Sequence, residues 1–523
     1  MIKNPVLTGF HPDPSLIYVD GVFYIAVSTF EYFPGVKISA SKDLANWETV
    51  AYPLNKKHFL HMEGNPKSSG VWAPCLSYCD GLFYLVYTDM KYWRNPYKDC
   101  KNFITTAKDI NGPWSDPVYI TSTGFDPSLF HDDDGKKYFV VMEWDYRKGS
   151  LDNDYNQFSG IVLMELDPKT LKPITEPKKI FKGTERKLVE APHIYKKDGY
   201  YYLFTAEGGT VYEHAETIAR SRNIYGEYEL HPATHLICTK DAPHSPLRKT
   251  GHGSMAQSKD GRWWFAFLCG RPIDESMRCP LGRETSINEL VWENDWPYLK
   301  NKTTVPDESF QGYGIQKTRE PISYDFNSPA FLFDFMSLRS MPNYSIEKNN
   351  NKNILRLWGG NSPCCNFEQG LLVRRQQEFS FTAITSLKLH GRNFQQMAGL
   401  MYRYDEDTHY FLRVSNDKAA GKSSIGLLCL DRKVFSIPVE IEVPLLENTI
   451  HFKLTVRRRS AFFSYSLDGS FFTDITHEID ASTLSDDYAD PLGFTGAFVG
   501  MGCVDMFDKT AWADFYSFEY IPE

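Results

Sequence analysis

The sequence predicts an all-β protein, a five-bladed β-propeller followed by a β-sandwich. Three observations carry this prediction. A unit of two short strands joined by an Asp-Gly turn recurs five times between residues 13 and 268. Further strand-like segments recur between these copies, in the same phase. After residue 323 the chain continues in short alternating segments that do not follow the repeat.

The hairpin half of the repeat is its most regular element. Each copy has an apolar strand, an Asp-Gly turn and an aromatic or β-branched strand. Asp-Gly is favoured in hairpins because both central residues of a type I′ turn need positive φ. The five copies span residues 13–28, 73–88, 126–142, 190–206 and 252–268, with turn aspartates Asp20, Asp80, Asp134, Asp198 and Asp260.

The other half of the repeat supplies two more strands. Residues 36–47, 102–114 and 216–228 each have a strand, a polar turn and an aromatic residue, and residues 161–180 and 283–296 are divergent copies. Four short strands repeated five times are typical of a β-propeller. A large β-sandwich with chance internal similarity is the alternative interpretation.

The end of the repeat divides the chain. Residues 299–323 are polar, contain Pro and Gly and lack periodicity. We therefore predict a propeller over residues 1–305, a linker over 306–322 and a sandwich over 323–523.

Composition limits the partners and the compartment. The chain has 523 residues, 42% of them hydrophobic, and a net charge of −9, which argues against nucleic acid or anionic lipid as a partner. No stretch approaches the ~20 apolar residues of a membrane span, and the start of the sequence has no apolar signal region. Ten scattered cysteines do not form a disulfide framework. We expect a cytoplasmic protein with reduced thiols and no membrane partner.

The residue that opens the first strand of each blade should lie near the propeller axis. Counting back seven or eight residues from each turn aspartate gives Asp13, Ala73, Asp126, Glu190 and His252. Three carboxyls in one partly desolvated cleft cannot all ionise cheaply, so at least one pKa must rise. Glycoside hydrolysis needs one protonated and one ionised carboxyl. The alternatives are strand caps formed by Asp-Pro-Ser, a salt-bridge network or a metal site.

The motifs around these positions resemble glycoside hydrolase family 43. They are FHPDPSL, STFEYFPGV, GVWAP, GFDPSLFHD, VEAPH, TAEGGT, TGHGSM and CPLGRET, and FTGAFVG near the end resembles the sandwich of its two-domain β-xylosidases. The resemblance covers essentially the whole chain. It implies an exo-acting, inverting β-1,4-xylosidase that releases xylose from the non-reducing ends of xylo-oligosaccharides.

The resemblance also implies the roles of the carboxyls. Asp13 of HPDPS would be the general base that activates water, and Glu190 of VEAPH the general acid. Asp126 of GFDPS would hold Glu190 in place and tune its pKa. In an inverting site the base and the acid lie roughly 6.5–9.5 Å apart, which leaves room for the water.

Five further residues are implied to form the sugar pocket. Arg283 of LGRET would bind sugar hydroxyls, and a guanidinium fork suits a vicinal diol. Trp72 and Phe30 would be apolar walls, with Phe494 of GFTGAF lent by the sandwich. His252 resembles an axial histidine near which some relatives hold a Ca²⁺ or a water. No cofactor is expected to be required.

Several alternatives stay open at this point. The pocket could serve an α-L-arabinofuranosidase or a bifunctional enzyme, because the two terminal sugars present similar hydroxyls. Cys75, where close xylosidase relatives often have Asp, adds to this alternative. A non-catalytic sugar-binding propeller is disfavoured, because a lectin needs no general acid. A retaining fructan-type enzyme would need a WxNDPN-like start that is absent. We also expect a homo-oligomer, either a dimer or a tetramer.

Overall fold

The computed structural model describes residues 1–94, 96–147, 157–349, 352–475 and 478–523. Strands dominate this part of the chain, and its helical segments are two short 3₁₀ helices, Pro329–Phe333 and Ala481–Thr483. Neither of these segments, within the described residues, has the length and apolar character needed to cross a membrane. The protein is all-β, as the sequence predicts.

The first half of the chain forms five four-stranded antiparallel sheets, blades I to V, each with its strands in chain order. First strands of neighbouring blades contact one another all the way round, including blade V with blade I, so the propeller is closed. The strands are Ser15–Val19, Val22–Val27, Lys37–Ser41 and Glu48–Ala51 in blade I; Gly70–Cys79, Leu82–Tyr92, Asp99–Ala107 and Val118–Thr121 in blade II; Ser128–His131, Lys137–Trp144, Phe158–Leu166 and Lys178–Phe181 in blade III; Glu190–Lys197, Tyr200–Glu207, Ala215–Ser221 and Glu229–Cys238 in blade IV; and Arg248–Gln257, Trp263–Gly270, Arg283–Glu293 and Trp296–Leu299 in blade V.

The Asp-Gly turns are of two kinds. In blades I, II and IV both turn residues have positive φ, as predicted, at Asp20-Gly21, Asp80-Gly81 and Asp198-Gly199. In blades III and V the prediction of a two-residue turn is wrong, because the connections span residues 132–136 and 258–262. There only the glycine has positive φ. Asp134 and Asp260 instead accept a hydrogen bond from the backbone N–H two residues further on.

The second half of the chain forms two packed sheets. The outer sheet contains Ile322–Tyr324, Tyr344–Asn349, Lys352–Trp358, Ser380–His390, Ile450–Arg457, Ser460–Ser466, Thr473–Asp474, Ile479–Asp480 and Trp512–Pro522. The inner sheet contains Phe335–Leu338, Leu371–Arg375, Gln396–Arg403, His409–Asp417, Lys422–Asp431, Val434–Pro444 and Phe498–Asp505, and is completed by Tyr32–Phe33 of the propeller. The sheets bury a large apolar core between them.

The inner sheet joins the two halves of the molecule, because its side chains alternate between the sandwich core and the propeller. On the strand Gln396–Arg403, Leu400 and Tyr402 belong to the sandwich core, whereas Met397 and Met401 pack with aromatic residues of the propeller. Successive side chains of a strand point to opposite faces, so one sheet serves both cores. The pairing of Tyr32–Phe33 with Phe335–Leu338 adds backbone hydrogen bonds to this interface.

The segment predicted as a linker contains a short strand. Ser309–Phe310 pairs with Ile2–Lys3 at the start of the chain. Residues 306–322 therefore begin against the propeller. The domain limits at residues 305 and 323 stay predictions.

Candidate active site

One cavity of about 1450 Å³ is lined by all eight predicted site residues. They are Asp13, Phe30, Trp72, Asp126, Glu190, His252, Arg283 and Phe494. All five blades and the sandwich contribute to this set. Residues distant in the sequence thus converge at one place, as the propeller topology predicts.

The residues at the equivalent axial position of the blades share a left-handed backbone, but Glu190 is not one of them. In blades I, II, III and V they are Asp13, Ala73, Asp126 and His252, with φ of 56°, 37°, 56° and 50°. The blade IV equivalent is Ala191, with φ of 51°. Glu190 lies one residue earlier and corresponds by strand register to Trp72 of blade II. The count back from the turn is wrong here because blade IV has the shorter turn, and Glu190 reaches the cavity from the neighbouring position.

Asp13 is buried among donors. Its Oδ1 accepts a hydrogen bond from Arg283 Nη1 at 2.8 Å, and its Oδ2 accepts one from Ser28 Oγ at 2.6 Å. His252 Nδ1 lies 3.6 Å from the same Oδ1. Burial raises the pKa of Asp13, but Arg283, His252 and Ser28 outweigh burial and hold this pKa below its ordinary value. Asp13 is therefore ionised at neutral pH.

Glu190 has the opposite environment. Burial and the negative charge of Asp13 raise the pKa of Glu190 to about 8, against the opposing effect of Arg283 and Lys98. Glu190 is therefore mostly protonated at neutral pH. A pair of carboxyls whose environments push their pKa values apart can act as a base and an acid in one reaction.

Asp126 adds a third buried carboxyl. Burial, followed by the charges of Glu190 and Asp13, raises its pKa well above the ordinary value. A hydrogen bond from the backbone of Ala191 opposes this rise. Because Ala191 directly follows Glu190, this bond ties Asp126 to the strand that carries Glu190.

Aromatic rings from both domains form one wall of the cavity, which we call the aromatic wall: Phe30, Trp72, Trp93 and Phe494. Ring centroids of Phe494 lie 5.9 Å from Phe30, 5.5 Å from Trp72 and 4.9 Å from Trp93. The backbone oxygen of Phe494 accepts a hydrogen bond from Arg283 Nη2 at 3.0 Å. Arg283 thus connects the sandwich loop to Asp13. Its buried Nε has no hydrogen-bond partner among the described residues.

The sequence analysis does not identify several residues of the site. Ser28 directly follows the second strand of blade I and supports Asp13 from behind the cavity lining. It lies within the motif STFEYFPGV, so its motif could have identified it. Trp93 and Lys98 lie in a connection of blade II, where Lys98 Nζ lies 4.3 Å from the ring centroid of Trp144. Such connections do not follow the repeat, and the sequence carried no signal for them.

The residues around the axis do not fit a Ca²⁺ site. His252 is accompanied there by His214, His193 and Glu216. Ca²⁺ takes six to eight oxygen ligands, whereas this set supplies imidazole nitrogens, the carboxyl of Glu216 and the carboxylate of Asp13, which already accepts hydrogen bonds from Arg283 and Ser28. In the described part of the chain, no group of three or more His, Cys, Asp or Glu residues could hold a metal ion. We derive no catalytic step through a metal.

Cys75 faces the interior of the propeller. Its Sγ lies 4.0 Å from His193 Nδ1, and burial raises the pKa of the thiol to about 11. Cys75 is absent from the cavity lining, which is drawn from the described residues. The side chain at this position therefore lies behind the cavity lining.

Comparisons with known proteins agree with this geometry. Residues 2–297 match the model of glycosyl hydrolases family 43, and residues 323–521 match that of the beta xylosidase C-terminal concanavalin A-like domain. A beta-xylosidase of Bacillus subtilis is 43% identical over 99% of both chains. A xylosidase/arabinosidase of Humicola insolens is 44% identical over 100% of this chain and 98% of that one.

Among solved structures, the crystal structure of a xylan beta-1,4-xylosidase from Bacillus halodurans superposes with a TM-score of 0.94. It is 41% identical to this chain, and the match covers 100% of both chains. With both domains matched in order and the carboxyls gathered in one cavity, the chain belongs to glycosyl hydrolase family 43.

Proposed function

We propose that the protein is an exo-acting β-1,4-xylosidase that removes single xylose units from xylo-oligosaccharides with inversion at the anomeric carbon. One observation carries the proposal. Asp13 and Glu190 line the same cavity, and their environments shift their pKa values in opposite directions. An inverting glycosidase needs this division between a base and an acid.

The reaction follows from the two protonation states. Glu190 donates its proton to the glycosidic oxygen as the bond to the anomeric carbon breaks. Asp13 accepts a proton from a water molecule, whose oxygen attacks the opposite face of the anomeric carbon. Afterwards Glu190 is ionised and Asp13 is protonated, and proton exchange with solvent restores the starting state.

The surroundings of the carboxyls support action on chain ends. Asp13 is 4% and Glu190 7% exposed, and the aromatic wall adds residues from both domains. A terminal sugar would pack one apolar face on Phe30, Trp72 and Phe494, while Arg283 donates hydrogen bonds to its hydroxyls. A pocket walled by both domains in this way would accept a chain end and exclude the middle of a chain.

A second activity on α-L-arabinofuranosides is favoured by the Humicola insolens relative, whose name includes both activities.

We further propose a cytoplasmic location, since all ten cysteines are free thiols, which suits a reducing compartment. A dimer or tetramer stays a prediction.

Initial rates on three substrates test the proposal: xylobiose, an aryl β-D-xyloside and an aryl α-L-arabinofuranoside. We expect hydrolysis of xylobiose and a higher kcat/KM for the xyloside than for the arabinofuranoside. The opposite order would make arabinofuranoside hydrolysis the main activity. Sugar binding without hydrolysis of any of the three would support a non-catalytic propeller.

A further inference from the structure

A short segment of the propeller connects the aromatic wall to the sandwich. The backbone oxygen of Lys67 accepts a hydrogen bond from Trp93 Nε1 at 2.9 Å, and that of Ser68 accepts one from Trp72 Nε1 at 2.9 Å. The Ser68 hydroxyl accepts a hydrogen bond from the backbone N–H of Phe494 at 3.2 Å. Two consecutive residues therefore hold three members of the aromatic wall.

The side chain of Lys67 fixes this segment to the sandwich. It is 2% exposed, and its Nζ lies 2.7 Å from Asp405 Oδ2 and 2.8 Å from Asp407 Oδ2. The backbone N–H of Lys67 also donates to Glu406 Oε1 at 3.1 Å. A buried ammonium group is tolerated only with such partners. The position of the segment is thus set by a loop of the other domain.

The backbone of Ser68 is strained at the same place. Its φ of 59° lies in the left-handed region, which residues other than glycine rarely adopt. The Ser68 N–H donates to Glu31 Oε2 at 3.0 Å, and Arg339 of the sandwich donates its own N–H to Glu31 O at 2.7 Å. A strained conformation persists only where the surrounding contacts determine it.

We infer that Lys67 and Ser68 are positioning residues through which the sandwich sets the geometry of the terminal-sugar pocket. This inference rests on the proposed function, because the ligand concerned is the terminal xylose. Asp13 is held by Ser28 and Arg283. Arg283 also donates to the backbone oxygen of Phe494, but the Lys67 ammonium group donates to Asp405 and Asp407 and not to this pair. Loss of the Lys67 contacts should therefore weaken sugar binding more than it slows the chemical step.

The first test is Lys67→Met in the full-length enzyme. We expect KM for xylobiose to rise about tenfold while kcat falls less than threefold, since contacts with a bound sugar are worth a factor of this order. The control is Lys57→Met, which breaks an exposed ion pair with Glu63 nearby and should change neither constant. A purely structural role for Lys67 would reduce the active fraction and lower the apparent kcat with KM unchanged, which would overturn the inference.

Lys67→Met leaves the buried Asp405 and the half-buried Asp407 without the Lys67 cation and could prevent folding. The triple variant Lys67→Met/Asp405→Asn/Asp407→Asn removes the charges together. It should show the same rise in KM. Wild-type KM in this variant would contradict the inference.

Ser68→Gly separates positioning from folding. Glycine adopts a φ of 59° without strain, so the variant should unfold at the same temperature as wild type or higher. The Phe494 N–H nevertheless loses its acceptor, and KM for xylobiose should rise several-fold. An unchanged KM would overturn the role of Ser68.

A binding measurement keeps this inference distinct from the proposed function. Xylose should change the fluorescence of Trp72 and Trp93, and its dissociation constant should rise in both Lys67→Met and Ser68→Gly. If wild type binds xylose but hydrolyses no xyloside, the proposed function fails and the positioning role is still tested. If both variants bind xylose as wild type does, the positioning role fails alone.

Discussion

Replacing Glu190 by Gln should make the rate depend strongly on the leaving group. The substitution keeps the shape of the side chain and removes the proton that the glycosidic oxygen receives. Xylobiose has a poor leaving group and needs that proton, whereas an aryl xyloside with an activated leaving group needs it much less.

The magnitude follows from the environment of Glu190. At pH 7 a carboxyl with a pKa of about 8 is about 90% protonated, whereas one at the ordinary value of 4.5 is only about 0.3% protonated. Burial and the charge of Asp13 thus increase the fraction of competent acid roughly 300-fold. General acid catalysis contributes about 10²- to 10⁴-fold to a rate, and Glu190→Gln should lose a factor in this range on xylobiose.

The assay compares kcat/KM of Glu190→Gln and wild type on xylobiose and on an activated aryl xyloside. Glu229→Gln is the matched control, because Glu229 lies on the outer strand of the same blade and its side chain is 59% exposed. The control should match wild type on both substrates. An equal loss on the two substrates in Glu190→Gln would refute the acid role of Glu190.

The remaining predictions concern pH and metal ions. Wild-type activity should fall as pH rises through about 8, where Glu190 loses its proton, and at low pH only below the usual range of an aspartate, where Asp13 gains one. Ser28→Ala removes a hydrogen bond to ionised Asp13 and should move the acid limb of the kcat/KM profile to higher pH. An acid limb that does not move would contradict this contact. Treatment with a chelator should leave activity unchanged, and a loss that Ca²⁺ restores would show that the axis binds a metal after all.

Much of the fold was predictable from local chemistry. The Asp-Gly dipeptides at Asp20, Asp80 and Asp198 predict the positive φ angles of their turns. The regular spacing of the strands around these turns predicts the blades. The same dipeptide at Asp134 and Asp260 predicts the same turn, and there the prediction is wrong. There the loop is longer and each aspartate caps its own turn, and a dipeptide does not encode loop length.

The site was predictable where it follows the repeat and where motifs resemble the family. Counting back from the turn selects Glu190, whereas the equivalent residue of blade IV is Ala191, because the turn of blade IV is shorter than those of blades III and V. The pairing register of the strands identifies the equivalent residue. The roles of Lys67 and Ser68 were not predictable, because their partners Asp405 and Phe494 lie in the other domain. Only folding brings those residues together.

The stereochemistry of the first product tests the central assignment most directly. If Asp13 activates water, no glycosyl-enzyme forms, and NMR of an early reaction mixture should show α-xylose before mutarotation mixes the anomers. Initial release of β-xylose would mean a covalent intermediate, and Asp13 would then be a nucleophile and not a base.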